Sequence, residues 1–441
     1  MVKKILLILA SSNKTRRKGF AEKSSSPPLG LIHIASMLKI HGYDTKIIDL
    51  GIENYSLKEF ENEISNYCPE VVGLSVYTEA YSSSVQISKT IKKVLPVSKI
   101  VFGGPHVTFL PEEALSNKDV DFVIQNEGES TFVELLEHLN NQNYPIDKIR
   151  GLAYKDNFGN VTINDKRPYI DILDALPIVE ENMVKKGLYT YSTTIISSRG
   201  CPGGCIYCAS RAMAGAKYRA RSAESLFGEM YYKHKIYGVN YFNIFDDTFT
   251  ADIQRLTRFC GLVKETEFPI KWRCDSRADV LSEEVIDMIC DAGCIAVHVG
   301  IESGSQKILD QLRKYINLEK AEKMVKYIHT KNILPMCSFI IGHHCDTFET
   351  IDMTVNLGMK FKKEYGAAVA FSTNTPYPGT YLYEHAEELG VKIHTKCWDQ
   401  YDIVQPIIST EHIGREDLRR IIFEGQMKML ESNKEVNNNA M

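Results

Sequence analysis

The chain opens with apolar runs and amphipathic stretches in alternation. Lys4–Ala10 is a short continuous apolar run of the kind required by a strand buried on both faces. Leu29–His41 carries helical spacing and stops at Gly42. The rhythm continues with a strand over Thr45–Leu50, a helix over Leu57–Tyr67, a strand over Val71–Val76 and a helix over Tyr81–Val94. Ile100–Phe102 predicts a fourth strand ending at Gly103-Gly104, Phe122–Gln125 a fifth, and Ser130–Asn140 the closing helix. This βα alternation predicts a doubly wound parallel sheet that takes ligands at the carboxyl ends of its strands.

Residues 145–186 break the pattern, and the turn-like Asn157-Phe-Gly-Asn160 between two short strand-like runs predicts a β-hairpin linker. The alternation then resumes, with strands over 191–197, 240–246, 270–277, 295–301, 333–341 and 366–373. Helices are expected over 222–237, 252–265, 282–291, 305–311, 318–330 and 346–362. Six βα units make an incomplete (β/α)6 barrel, an architecture whose chemistry sits at the strand C-termini. After about residue 390, helical spacing returns over Arg415–Leu430, and Asn437-Asn-Asn439 reads as a frayed end. The expected division is 1–145 for the front domain, 146–186 for the linker, 187–390 for the barrel and 391–441 for a helical extension.

Composition narrows the function classes. The 441 residues are 44% hydrophobic and 24% charged with a net charge of −4, so no global basic field favours nucleic acid or an anionic membrane. No apolar run reaches the length of about 18 residues that a spanning helix needs, and the polar, basic Ser11–Lys18 behind the first apolar run disfavours a secretory signal. Eleven scattered cysteines fit a reducing cytoplasm better than a disulfide framework. Cys68, Cys260, Cys290, Cys294 and Cys397 show no metal spacing and read as buried small hydrophobes.

Three other cysteines are crowded. Cys201, Cys205 and Cys208 have C-x3-C-x2-C spacing directly after the first barrel strand, with Pro202, Gly203 and Gly204 between the first two. An extended chain covers only about 3.3–3.6 Å per residue, so a curled loop brings the three thiols together. Three thiolates can hold a [4Fe–4S] cluster with one iron left open; zinc would need a fourth ligand from elsewhere, such as Cys260 or a histidine.

With its surroundings, the loop resembles that of the radical S-adenosylmethionine superfamily. Tyr207 stands where that family prefers an aromatic, and Arg219-Ala-Arg-Ser222, Tyr241–Phe249, Arg277 with its neighbours, Gly300-Ile-Glu-Ser-Gly-Ser305 and Pro376-Tyr-Pro-Gly-Thr380 resemble its later segments. The resemblance implies that the open iron chelates S-adenosylmethionine and that one electron, from an external donor of flavodoxin or ferredoxin type, yields a 5′-deoxyadenosyl radical. It assigns Cys201, Cys205 and Cys208 to the metal, and Tyr207, Glu302 and Ser303 to the cofactor. Asp246 and Asp247 become acidic catalytic groups with helix capping as their alternative role, and Arg277 a partner for a carboxylate with an internal salt bridge as its alternative. One departure stands out. Gly342-His-His-Cys-Asp-Thr347 replaces the usual Gly-Leu-Pro-Gly-Glu-Thr turn, so His343, His344 and Cys345 either meet substrate or cap the next helix.

The front domain resembles the cobalamin-binding module fused to many such enzymes, through Pro27-Pro-Leu-Gly-Leu31, Ser75, Gly103-Gly104 and Asn126-Glu-Gly-Glu-Ser130. On that basis Ser75, Tyr77, Thr78, Gly103, Gly104 and His106 belong to the cobalamin site. The loop Ser11–Ser26 lacks the cobalt-ligating histidine of mutases and methionine synthases, so the Tyr77–Tyr81 stretch becomes the expected neighbour of the lower face. The combined resemblance implies a methyltransferase acting on an unactivated carbon of a small molecule held between the two domains. Oxidative cyclisation or ring rearrangement is the alternative chemistry, and a non-catalytic cobalamin and cluster sensor the alternative class.

Overall fold

The computed structural model describes residues 2–12, 26–141, 144–179 and 183–438. The chain divides into two compact units, Met1–Thr194 with Met213–Gly215, and Ile195–Ala212 with Ala216–Met441.

The front unit is built on one seven-stranded sheet. Its parallel part comprises β1 (Lys4–Leu9), β2 (Asp44–Asp49), β3 (Val71–Ser75), β4 (Lys99–Gly103) and β5 (Phe122–Ile124), in the order β2-β1-β3-β4-β5. Alternation along β1 explains the apolar run: Leu6 and Ile8 enter the layer covered by helices 57–67 and 81–94, while Ile5 and Leu7 enter the layer covered by helices 29–40 and 129–140. With β2 on one side of β1 and β3 on the other, the order reverses between β1 and β3, the position where such sheets open a ligand crevice.

The stretch read as a linker contributes to this sheet. β6 (Leu152–Lys155) pairs antiparallel with β5, and β7 (Val161–Ile163) pairs antiparallel with β6, around the turn at Asn157–Asn160. Two short helices, Pro105–Phe109 and Pro111–Ser116, fill the crossover after β4, where sequence periodicity was too brief to predict them. Each begins with proline, which is already set to a helical φ.

The rear unit carries a six-stranded sheet in strict chain order: β8 (Thr194–Ile195), β11 (Tyr241–Ile244), β12 (Lys271–Ser276), β13 (Cys294–Glu302), β14 (Leu334–Ile341) and β15 (Ala368–Thr373). β11 to β15 pair parallel throughout. One face packs under the helices through Phe242, Trp272, Val297 and Phe339. Phe249, Phe259 and Trp272 meet edge to face with ring centroids 5.5 Å apart, a geometry aromatic quadrupoles favour. Along β14 burial alternates: Pro335, Cys337, Phe339 and Ile341 are covered, while Met336, Ser338 and Ile340 stay half-exposed on the other face. That incomplete cover is the open inner face of a partial barrel.

The C-terminal region is more than a helical extension. A two-stranded hairpin, β16 (Lys392–Ile393) with β17 (Ile408–Ser409), precedes the helix Arg415–Asn438, and Tyr401, Ile407, Ile413 and Leu418 form a core with Ile341, Ile351 and Val355 of the barrel. The frayed end expected at Asn437-Asn-Asn439 falls in this helix as far as Asn438; Asn439 lies outside the described residues. Among the cysteines read as buried, Cys260 and Cys294 are buried and Cys290 is half-buried, but Cys68 and Cys397 are exposed. Cys68 ends helix 57–67 in the left-handed conformation (φ 51°), and that cap places it at the surface.

Candidate active site

The three-cysteine loop hangs from a short antiparallel pair, β9 (Ser198–Arg199) with β10 (Arg219–Ala220). Its base is rigid because Asp246, buried at the end of β11, accepts the Ser197 amide at 2.6 Å, the Ser198 amide at 2.9 Å and the Ser197 hydroxyl at 2.6 Å. Arg255 donates to the same Ser197 hydroxyl at 2.6 Å. Arg221 is buried in an ion pair with Glu229, which also binds Lys233 at 2.9 Å. Ser222 caps helix 223–237. The similar-looking segment 219–222 is therefore the foundation of the loop.

Within the loop the Cys208 amide donates to the Cys205 carbonyl at 3.2 Å, closing a turn. Ile206 points inward to Ile308 and Leu312, with backbone bonds to Leu312 and Leu382 at 3.2 and 2.9 Å. Anchored by that single apolar residue, the loop leaves Cys201 and Cys205 half-buried and Cys208 exposed, all three as free thiols. Three thiols on one loop with no fourth beside them suit a cluster with one open iron; among the described residues no three His, Cys, Asp or Glu side chains converge to hold a single metal ion.

Around them the predicted residues divide. Tyr207 lies with its ring 5.7 Å from that of His343; burial, then the Glu302 charge and the neighbouring thiols, raises its phenol well above the ordinary value. Glu302 ends β13 in the left-handed region (φ 71°), a costly conformation for a side chain of its size. Its carboxylate is buried and accepts from Lys314 Nζ at 3.0 Å. Lys314, absent from the sequence-based expectation, is buried close to Cys205. No motif announced it: it falls in a non-periodic turn whose neighbours Arg313 and Tyr315 both take positive φ.

Ser303 is turned into the framework. Its hydroxyl is fully buried, 3.2 Å from the Thr354 hydroxyl, and it accepts the Ser305 amide at 3.2 Å. Asp246 spends both carboxylate oxygens on the loop base, so the structure makes it a brace. Asp247 is exposed beside the loop and accepts from Ser210 at 3.1 Å; burial of its carboxyl end, opposed by Ser210, raises its pKa. Neither aspartate caps the following helix, because Asp252 does so by accepting the Arg255 amide at 3.0 Å. Arg277 makes the internal salt bridge, bidentate to Asp279, and also reaches Cys205.

The departing turn is held by Asp346, which accepts the Gly342 and His343 amides at 3.1 and 2.9 Å and the Thr350 hydroxyl at 2.8 Å. Thr347 forms the capping box, so His343, His344 and Cys345 do not cap. The His343 ring is fully buried with Asn374 3.3 Å from Nδ1; burial lowers its pKa and that of His344.

In the front unit, Ser75 ends β3 in register with Gly103 of β4. Gly104 adopts φ 98°, and a Cβ there would meet the Val76 amide nitrogen at 2.9 Å and Ser75 Oγ at 3.2 Å. Only glycine lets the chain pass this close to the end of β3. Tyr77 is 47% exposed and Thr78 is buried. His106 is wholly buried against Tyr81, ring centroids 4.5 Å apart. Of the histidine-free loop, residues 13–25 lie outside the described residues.

The comparisons agree with this geometry. Residues 23–136 match the B12 binding domain model and residues 195–358 the Radical SAM superfamily model. The chain is 31% identical to an uncharacterized methyltransferase of Pyrococcus horikoshii over 426 residues, 96% of this chain and 91% of that protein. It is 28% identical to the cytidylyl-2-hydroxyethylphosphonate methyltransferase of Streptomyces wedmorensis, covering 71% of this chain and 68% of the relative. It is 25% identical to the anaerobic magnesium-protoporphyrin IX monomethyl ester cyclase of Rubrivivax gelatinosus, covering 89% and 71%. In fold it matches the cobalamin-dependent S-adenosylmethionine radical enzyme OxsB with a TM-score of 0.78 at 16% identity, over 97% of this chain and 66% of that one.

The fold and the similarity together define a radical S-adenosylmethionine enzyme with a front B12-binding domain. The chain belongs to that family, and its relatives include proteins named as methyltransferases. Among the described residues, no helix is long and apolar enough to cross a membrane.

Proposed function

We propose that this enzyme transfers a methyl group to an unactivated carbon of a small molecule. The observation that carries the proposal is the presence in one chain of two ligand-facing strand ends: a three-thiol loop at an open barrel, and a glycine shelf beside the switch point of a β2-β1-β3-β4-β5 sheet. Similarity to a methyltransferase over nearly the whole of both chains supports methyl transfer as the outcome.

When bound, the cluster, S-adenosylmethionine and cobalamin would supply hydrogen abstraction by a 5′-deoxyadenosyl radical and a transferable methyl group. Cys201, Cys205 and Cys208 would hold the cluster, with its electron coming from a flavodoxin- or ferredoxin-type donor. Tyr207 and the Glu302–Lys314 pair would shape the S-adenosylmethionine side, and Asp247 is the exposed carboxylate able to accept from cofactor or substrate. In the front unit Ser75, Gly103 and Gly104 would form the shelf for cobalamin. Tyr77 is the side chain left exposed beyond β3, and the sequence 11–26 offers no histidine to cobalt.

The test is anaerobic purification with iron, sulfide and cobalt quantified, followed by turnover with methyl-labelled S-adenosylmethionine. Methyl transfer predicts iron and cobalt in the protein, 5′-deoxyadenosine, and label in the product. Deoxyadenosine with an unlabelled product would favour ring closure, the activity for which the Rubrivivax gelatinosus relative is named. No deoxyadenosine from iron-loaded protein would leave a sensor.

A further inference from the structure

The sequence offered Arg277 two roles, a carboxylate partner or an internal salt bridge, and in the structure its guanidinium makes the salt bridge. Nε and Nη2 donate to the two carboxylate oxygens of Asp279, each at 3.0 Å, and Nη2 also donates to the Lys314 carbonyl at 2.8 Å. These bonds fix the plane of the group and leave Nη1 as the nitrogen free of oxygen partners. Nη1 points at Cys205 Sγ from 3.9 Å. Between the guanidinium and the next thiol lies Gly203, where a Cβ would stand 3.1 Å from Arg277 Nη1 and 3.3 Å from Cys201 Sγ. The glycine is what allows the cation this near two of the three sulfurs.

We propose that Arg277 is a cluster-tuning residue: its Nη1 donates to the sulfur of Cys205, beside that of Cys201, and raises the reduction potential of the cluster. The inference rests on the proposed cluster site. Hydrogen bonds to sulfur and local net charge are the levers that set iron–sulfur potentials. Going from [4Fe–4S]2+ to [4Fe–4S]+ adds one electron, taken in the test from dithionite, and makes the site more negative. A fixed cation on the ligand sulfurs stabilises that reduced form, and its removal lowers the potential. Asp279 and the Lys314 carbonyl serve to aim the fork, which lysine could not reproduce bidentately.

The experiment is a mediator-poised redox titration of the anaerobic holoenzyme, read by the electron paramagnetic resonance signal of the reduced cluster. Arg277→Gln is expected to lower the reduced-to-oxidised ratio about tenfold at a fixed potential, a shift of about 59 mV for one electron. Arg277→Lys keeps the charge without the fork and should recover part of it. Gly203→Ala pushes the guanidinium from the thiols with Arg277 intact, and should shift the potential in the same direction. It also decides the matter if Arg277→Gln fails to retain iron. Unchanged potentials in iron-loaded variants, with weakened S-adenosylmethionine binding by equilibrium dialysis, would overturn the inference and return Arg277 to a carboxylate. A wild-type protein that takes up no cluster would instead remove the proposed function itself.

Discussion

The two ligand-facing regions of this chain are built from opposite materials. At the front, the strand ends offer backbone and small groups, with Ser75, Gly103 and Gly104 above a wholly buried His106 that burial keeps neutral. At the rear, the cysteine loop is surrounded by buried or half-buried charges, each with a partner: Arg277 with Asp279, Lys314 with Glu302, Arg221 and Lys233 with Glu229. The difference follows from what each must hold. A bulky flat ligand needs clearance, which glycine supplies. A thiolate-bound cluster and a sulfonium carry charge into a partly dry site, where unpaired groups cost several kcal/mol. The front region should therefore fail through shape, and the rear through charge.

The largest effect should come from Cys201, Cys205 and Cys208 together replaced by alanine. Iron and 5′-deoxyadenosine should both be lost, by metal analysis and chromatography, while the front unit still gives the absorbance of bound cobalamin. Deoxyadenosine surviving in the triple variant would end the cluster assignment.

Lys314→Met comes next. It leaves the Glu302 carboxylate buried without its cation, a change that costs about 3–5 kcal/mol. The double variant with Glu302→Gln should recover most of that. Both tryptophans, Trp272 and Trp398, lie in the rear unit, so urea unfolding followed by tryptophan fluorescence reads this unit alone. A Lys314→Met midpoint equal to wild type would show that the pair is solvated and the contrast with the front overstated.

The front has its own titration. Burial pushes the His106 imidazole down to about 4 from 6.5, and its Nε2 lies 4.0 Å from the Glu113 carboxylate. The unfolded chain then binds a proton that the folded one refuses between about pH 6.5 and 4, so stability rises with pH through that window. About 3 kcal/mol should be present above pH 7 and lost as the pH falls toward 4. Circular dichroism of front-unit unfolding against pH measures it, and His106→Leu should flatten the profile. An unaltered profile would place the titration in other groups.

How much of this was legible in the sequence depended on the range of the determining interactions. The βα order was readable because Leu6, Ile8 and their neighbours enter opposite layers from a continuous apolar run, and the cysteine loop because its spacing is local. The turn at Asn157–Asn160 was readable too, but its attachment to β5 was not, since pairing partners leave no trace in a short strand. Lys314 was invisible: it reaches Glu302 across a non-periodic turn, and a lysine next to Arg313 reads as surface. Asp246 and Ser303 follow strand ends at motif positions yet bond into the framework, because successive residues there turn alternately to ligand and to core; His106, inside the helix 105–109, is buried against Tyr81.

The smallest predicted effect separates two neighbouring aspartates on these grounds. Helix 253–264 leaves its first amides without partners inside the helix, and Asp252 accepts one of them, the Arg255 N–H at 3.0 Å. Asp252→Ala should therefore cost about 1 kcal/mol in the tryptophan-monitored unfolding of the rear unit. The Asp247 carboxylate accepts the Ser210 hydroxyl next to the cysteine loop, and the residue's backbone carbonyl accepts the Thr248 hydroxyl, outside the helix. Asp247→Ala should leave the unfolding midpoint in place while lowering deoxyadenosine formation, because an exposed carboxylate has little else to hold. Should the two variants exchange effects, with Asp247→Ala unfolding early and turning over normally, the carboxylate beside the loop belongs to the scaffold, and the charged surroundings of the cysteines serve stability more than chemistry.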